Sequence, residues 1–259
     1  MNLIEFYRNN PALVWEILKF IRPREVAFIH SNPKRTKRYI TIINIRNLWK
    51  CLYRFFEKGV EHHFFASIEY LKKFENGKKL DLKTEWHPFG WDLVLDIDEH
   101  AEDVEERIKL AYEKARKIVD FLFDNHISFR IHFTGSKGFH IYIPWKWLKE
   151  HGWLAEDYGK YNRVIAELIW EKTRVKTDVS TLSKQKDLIR VPFSVHPETG
   201  LLCYPLTLQQ FKKFKIDMAY PENIDNTFET NKLKKATVTF NKKGTILNKE
   251  VILCRYSNE

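Results

Sequence analysis

The stretch Trp91-Asp92-Leu93-Val94-Leu95-Asp96-Ile97-Asp98 constrains this chain more than any other, because an apolar run ends there in two carboxylates one residue apart. Side chains at i and i+2 of a β-strand share a face. Asp96 and Asp98 therefore project together from the end of a strand otherwise suited to burial. Two such carboxylates repel and shift each other's pKa, and a hard, oxygen-seeking ion such as Mg²⁺ or Mn²⁺ relieves that repulsion. A strand that merely exits into solvent would look similar, so the rest of the chain has to decide.

With 259 residues, 44% of them apolar and 15% aromatic, the chain can bury one sizeable core. We expect a single unit over residues 1–259, an N-terminal αβ part of about 1–90 packed on a catalytic part of about 91–259. The formal charge of +10 favours a polyanionic partner, nucleic acid before a membrane surface. Cys51, Cys203 and Cys254 lack CxxC spacing, which argues against a disulfide framework or a cysteine-rich zinc site and suits a reducing cytoplasm. No run of about eighteen apolar residues marks a membrane span, and no secretory signal is evident at the N-terminus.

Periodicity predicts a helix over 3–21 punctuated by Pro11, strands at Val26–Ile29 and Tyr39–Ile43, and a helix over 46–58. The basic turn between the two strands, 33–38, is a candidate phosphate clasp, although such turns are more often simply solvated. A short strand at His63–Ile68 precedes a lysine-rich loop reaching Pro88. His62 and His63 are adjacent, and neighbouring strand residues face opposite ways, so they do not read as joint metal ligands. Glu102 to Asn125 has helical spacing with acids in its first turn. Two strands from Ile127 to Pro144 follow, then a helix from Tyr158 to Glu171, strand and turn from Asp187 to Leu206, and a terminal hairpin about Lys243-Gly244.

Between the strands after Ile127 lies Thr134-Gly135-Ser136-Lys137-Gly138-Phe139-His140. Its glycines permit close backbone approach, the Thr134 and Ser136 hydroxyls and the amides can cradle anionic oxygens, and Lys137 and His140 add donors. The spacing is not that of a P-loop, and a strand rather than a helix follows. A third block, Lys176-Thr177-Asp178 through Arg190-Val191-Pro192-Phe193-Ser194-Val195-His196-Pro197-Glu198-Thr199-Gly200, supplies another acid, a cation and an imidazole. Asp92, His100 and Asp187 read as structural, Asp187 through a pairing with Lys186. Trp86, Trp91, Trp145 and Trp147 read as core rather than base-stacking residues.

These three blocks, in this order, resemble the motifs of the archaeo-eukaryotic primase superfamily, which includes DNA primase catalytic subunits and primase-polymerases. Arg24-Glu25-Val26-Ala27-Phe28 resembles a further family segment, and the likeness runs to about Leu206. The resemblance implies an α+β fold, with a mixed, largely antiparallel central β-sheet forming an RRM-like catalytic unit, the aspartates at its centre, an N-terminal αβ unit and flanking helices. It also implies a triad of Asp96, Asp98 and Asp178 holding two Mg²⁺ or Mn²⁺ ions. Thr134, Ser136, Lys137, His140, Arg190 and His196 would then hold nucleotide phosphates.

The implied activity is template-dependent nucleotidyl transfer, with single-stranded DNA and nucleoside triphosphates as partners and a second primase subunit or fused accessory domain in some relatives. An end-joining repair polymerase of the same superfamily, a metal-dependent nuclease and a catalytically silent nucleic-acid-binding module are the alternatives. Two departures stand out. Residues 99–130 contain no cysteine where many relatives insert a zinc knuckle, so no structural zinc is expected, and Glu198 stands where relatives often have lysine.

Overall fold

A computed structural model describes residues 2–59, 61–75, 78–152, 158–177, 187–224, 233–237 and 250–254. In chain order the elements are α1 (Leu3–Asn9), α2 (Pro11–Ile21), β1 (Val26–Ile29), β2 (Lys37–Ile40), α3 (Ile45–Phe56), β3 (His63–Ser67), β4 (Glu69–Leu71), β5 (Phe74–Glu75), β6 (Lys78–Lys79), β7 (Pro88–Trp91) and β8 (Leu93–Asp98). There follow α4 (Val104–Asp124), β9 (Arg130–Phe133), β10 (Gly138–Ile143), α5 (Trp145–Glu150), α6 (Tyr158–Thr173), β11 (Leu188–Arg190), β12 (Tyr204–Leu206), α7 (Leu208–Lys212), β13 (Leu233–Thr237) and β14 (Glu250–Cys254).

Pro11 splits the first helical stretch in two. Proline at the first position of α2 forfeits no helical hydrogen bond, because that amide would be unpaired anyway. The Asn2 side chain caps α1 by accepting from the amides of Ile4 and Glu5, and Asn44 caps α3 by accepting from Asn47. Phe55 of α3 stacks on Phe28 of β1, which in turn stacks on Phe64 of β3. The helical layer is thereby fixed to a four-stranded sheet of order β11-β3-β1-β2.

A second four-stranded sheet has the order β12-β9-β10-β8. Here β8, α4, β9 and β10 form a split β-α-β unit in which β10 returns to lie between β8 and β9. Leu93, Leu95 and Ile97, together with Phe139, Ile141 and Ile143, join the main core, and α4 packs on β8 and β10. Val94 and Tyr142, on the opposite face, bury against Ile68 and Ile189. That opposite face also carries Asp96 and Asp98.

A buried network joins the two halves of the chain. The Arg24 guanidinium, 1% exposed, donates to Asp92 at 2.6 Å and to the carbonyls of Phe20, Ser67 and Ile68. Tyr70 donates its hydroxyl to Asp92, and the backbone amide of Trp145 does the same. Pairing and hydrogen bonding of this kind offset the cost of burying a charge. Asp92 is thus structural, as its sequence context suggested.

Several expectations need correction. Every pairing among the described strands is antiparallel, the sheet is divided in two, and the aspartate strand lies at an edge of its sheet rather than at the centre. The strand expected at Tyr39–Ile43 sits at Lys37–Ile40 because buried Glu25 captures this edge, accepting from Arg38 Nε and Nη2 and from the Tyr39 amide, with Tyr39 at φ 59°. Arg38 and Arg35, which pairs with Glu61, are therefore engaged by acids rather than free for phosphate. The lysine-rich stretch to Pro88 holds the antiparallel pairs β4–β7 and β5–β6, each too short to show a period. At the C-terminal end β13 pairs with β14, while the expected turn at Lys243-Gly244 lies outside the described residues.

Candidate active site

The register of β8 against β10 sets the site. Asp96 lies opposite His140 and Asp98 opposite Gly138, so the end of the aspartate strand and the start of the hairpin strand meet pair by pair. A Cβ on Gly138 would fall 1.7 Å from the carbonyl oxygen of Ile97, so only glycine permits this approach. The hairpin closes through Thr134, whose hydroxyl donates to the carbonyl of Gly138 and accepts from its amide. Gly135, at φ 82°, turns the loop, and its carbonyl accepts a 2.5 Å hydrogen bond from the Thr199 hydroxyl. That bond ties the hairpin to the loop carrying His196.

Together these elements line a cleft of about 320 Å³. Asp96 and Asp98 come from β8, Thr134, Ser136, Lys137 and His140 from the hairpin, and Arg190, His196 and Glu198 from β11 and the following loop. All the described residues expected at the site therefore converge. Asp178 lies outside the described residues, as does Lys186, the partner expected for Asp187.

Burial pushes Asp96 up, but the neighbouring His140 and the Lys137 charge outweigh it, and its carboxyl is held below the usual range. Asp98 moves the other way, raised by burial and then by the negative charge of Asp96. Asp96, 19% exposed at its side chain, has an Oδ1 with no hydrogen-bond partner among the described residues, and His140 Nε2 stands 3.4 Å from it. Two mutually repelling carboxylates with an unsatisfied buried oxygen suit a hard divalent cation. Among the described residues no group of three or more His, Cys, Asp or Glu side chains is gathered to hold an ion.

His140 Nδ1 lies 3.2 Å from the hydroxyl of Tyr142, whose pKa burial drives well up. The phenol stays protonated and can donate to Nδ1, which leaves Nε2–H directed toward Asp96. The opposite wall is cationic and imidazole-rich. Arg190, 8% exposed, donates through one terminal nitrogen to His63 Nδ1 at 3.1 Å and lies over the Phe65 ring. Its other terminal nitrogen has no partner among the described residues. His196 Nδ1 accepts from the Glu198 amide, so its neutral ring carries the proton on Nε2. Burial, followed by the charges of Arg190, His63 and Lys137, lowers the His196 pKa to about 3. At neutral pH this imidazole is a pure hydrogen-bond donor on its free nitrogen.

Sequence reasoning missed His63, Phe65 and Leu188, which also line the cleft. The signal existed in the alternation of β3: His63 and Phe65 share one face, whereas Phe64 and Ala66 enter the core. His62 instead packs against His30 and Phe55. Trp91 and Trp145 pack on each other over Gly90, and Trp147 stacks on His151.

No protein-family model matches the chain. A curated protein, the DNA primase small subunit PriS of Pyrobaculum islandicum, is 26% identical over a 225-residue alignment that covers 62% of this chain and 71% of that protein. Among solved structures, the polymerase domain of Mycobacterium tuberculosis ligase D in complex with DNA is similar with a TM-score of 0.54 at 17% identity, covering 81% of each chain. At that identity the second likeness establishes a shared α+β fold.

Proposed function

Fold and sequence likeness together support membership of the archaeo-eukaryotic primase superfamily, and from that premise we propose that the chain is a template-dependent nucleotidyltransferase making or extending primers. The observation that carries this reading is the convergence of Asp96 and Asp98 with Lys137, His140, Arg190 and His196 around one cleft. Acids on one wall and hydrogen-bond donors on the other match a nucleoside triphosphate whose α-phosphorus is to be attacked. Single-stranded DNA would be the template, with a second subunit or fused domain as a further partner.

Asp96 and Asp98, with Asp178, would hold two Mg²⁺ or Mn²⁺ ions. When bound, these ions lower the pKa of the attacking 3′-hydroxyl and neutralise the triphosphate. The chain's own residues do the remainder. His140, oriented by Tyr142, steadies the Asp96 carboxylate. Lys137, Arg190 and the Nε2–H of His196 face the β- and γ-phosphates and offset the charge that collects there as the bond to the leaving pyrophosphate breaks. Ser136 and the hairpin amides add neutral donors. Glu198 on the same wall opposes anion binding and moderates affinity for the triphosphate.

The superfamily resemblance leaves an end-joining repair polymerase, which shares the chemistry but extends existing ends, as the second reading. The two separate on an unprimed single-stranded template, where only a primase starts from two free nucleotides. Asp96→Ala or Asp98→Ala should abolish nucleotide incorporation and pyrophosphate release while leaving the thermal transition in place. Undiminished incorporation refutes the assignment, and strand shortening without added nucleotides indicates a nuclease instead.

A further inference from the structure

His63 has no role in the sequence reading, yet it touches Arg190, the one buried cation of the cleft among the described residues. Arg190 forms no ion pair with any described acid, although it is almost wholly withdrawn from water. A buried guanidinium without a counter-ion is costly, and its geometry has to be imposed by neighbours. Phe65 supports its flat face at 4.9 Å, and the only hydrogen bond to its head group among the described residues is the one accepted by His63 Nδ1.

Resting on the nucleotide-site reading above, we propose that His63 is a positioning residue for triphosphate binding: its Nδ1 lone pair holds one arm of Arg190 and thereby orients the guanidinium toward the phosphates. Because Nδ1 accepts, the neutral His63 ring carries its proton on Nε2, the same tautomer as His196. The two rings meet edge to face, 5.1 Å between centroids. Together they form a wall of neutral imidazole donors flanking one permanent charge. An acid in place of His63 would pair with Arg190 and compete with the ligand, whereas imidazole orients the guanidinium without neutralising it. Burial, ahead of the Arg190 charge, depresses the His63 pKa and keeps this acceptor available at neutral pH.

The test compares His63→Ala, His63→Asn and His63→Gln with the wild-type chain, titrating inorganic tripolyphosphate and a nucleoside triphosphate, each with Mg²⁺, by calorimetry. The asparagine amide oxygen can reach the position of Nδ1, whereas the longer glutamine reaches toward that of Nε2. Ala and Gln should each weaken both ligands about tenfold, the scale of one hydrogen bond to a charged group, and Asn should recover affinity to within about threefold. In turnover the loss should appear in KM for the nucleotide rather than in kcat. Equal affinities across all three variants would overturn the proposal and leave the nucleotide site standing, as would an asparagine variant no better than glutamine. A wild-type chain that binds neither ligand would overturn the nucleotide site itself. If His63→Ala fails to fold, the Asn against Gln comparison decides alone.

Discussion

Gly138→Ala perturbs the point where the hairpin enters its pairing with the aspartate strand, a position with no room for a Cβ. The added methyl would lie 1.7 Å from the Ile97 carbonyl oxygen, where ordinary contact begins near 3.4 Å, so the two strands would have to part by about 1.7 Å at the Gly138–Asp98 pair. The obstacle is backbone, not a flexible side-chain end, and β10 cannot retreat because β9 holds its other edge. Overpacking of this kind costs about 3 kcal/mol, which for a chain of this size lowers Tm by about 6–12 °C. The functional loss should exceed the loss in stability. Moving Asp98 and the hairpin apart by more than 1 Å at the reacting centre costs about a hundredfold in rate. Differential scanning fluorimetry and a primer-extension assay well below Tm measure the two effects separately. A variant with unchanged Tm and undiminished extension would refute the register on which the site is built.

Other perturbations follow from the same structure. Asp92→Ala strands the Arg24 charge in the interior and should cost about 3–5 kcal/mol in urea unfolding; a loss under 1 kcal/mol would mean that the charge finds water. His196 is held at about 3, against an unfolded value near 6.5. Both states are neutral above pH 6.5, and below it the unfolded chain takes the proton first, so stability is present above 6.5 and lost as pH falls toward 3. His196→Asn should therefore reduce the stability lost between pH 7 and pH 5 by about 2 kcal/mol, and identical pH slopes would contradict the burial of this ring. Mn²⁺ at ten times its Kd should stabilise the protein by about 1.4 kcal/mol, an increment that Asp96→Asn should remove. Retention of the increment would place the ion elsewhere.

What the sequence made legible was whatever is written locally. The aspartate pair is visible because strand alternation and an apolar run occupy eight consecutive residues, and the Gly-Ser-Lys-Gly hairpin because turn chemistry is local. The alternation of β3 put His63 on the face shared with Phe65, but the role proposed for it was not visible, since it depends on β11 pairing with β3 across more than a hundred residues, a partnership that no window along the chain contains. The edge position of β8 is hidden for the same reason, being set by which strands β9 and β10 choose. Asp92 was recognised as structural, but its partner Arg24 lies 68 residues away and drew notice only as part of a motif likeness. Glu25 likewise drew notice only within that motif likeness, yet it is fully enclosed and redirects the neighbouring strand.

The Arg24 node bears on how such a protein can be divided. One guanidinium stitches the end of the first helical pair to the β3–β4 corner, to the strand bearing the carboxylates and, through Asp92, to the start of α5. A cut anywhere between Leu71 and Trp91 would leave each fragment with half of an ionic lock, and neither could shield its share from water. The halves should therefore resist separate expression yet reassociate when mixed, which makes the chain a candidate for a split enzyme whose activity reports the joining of its pieces.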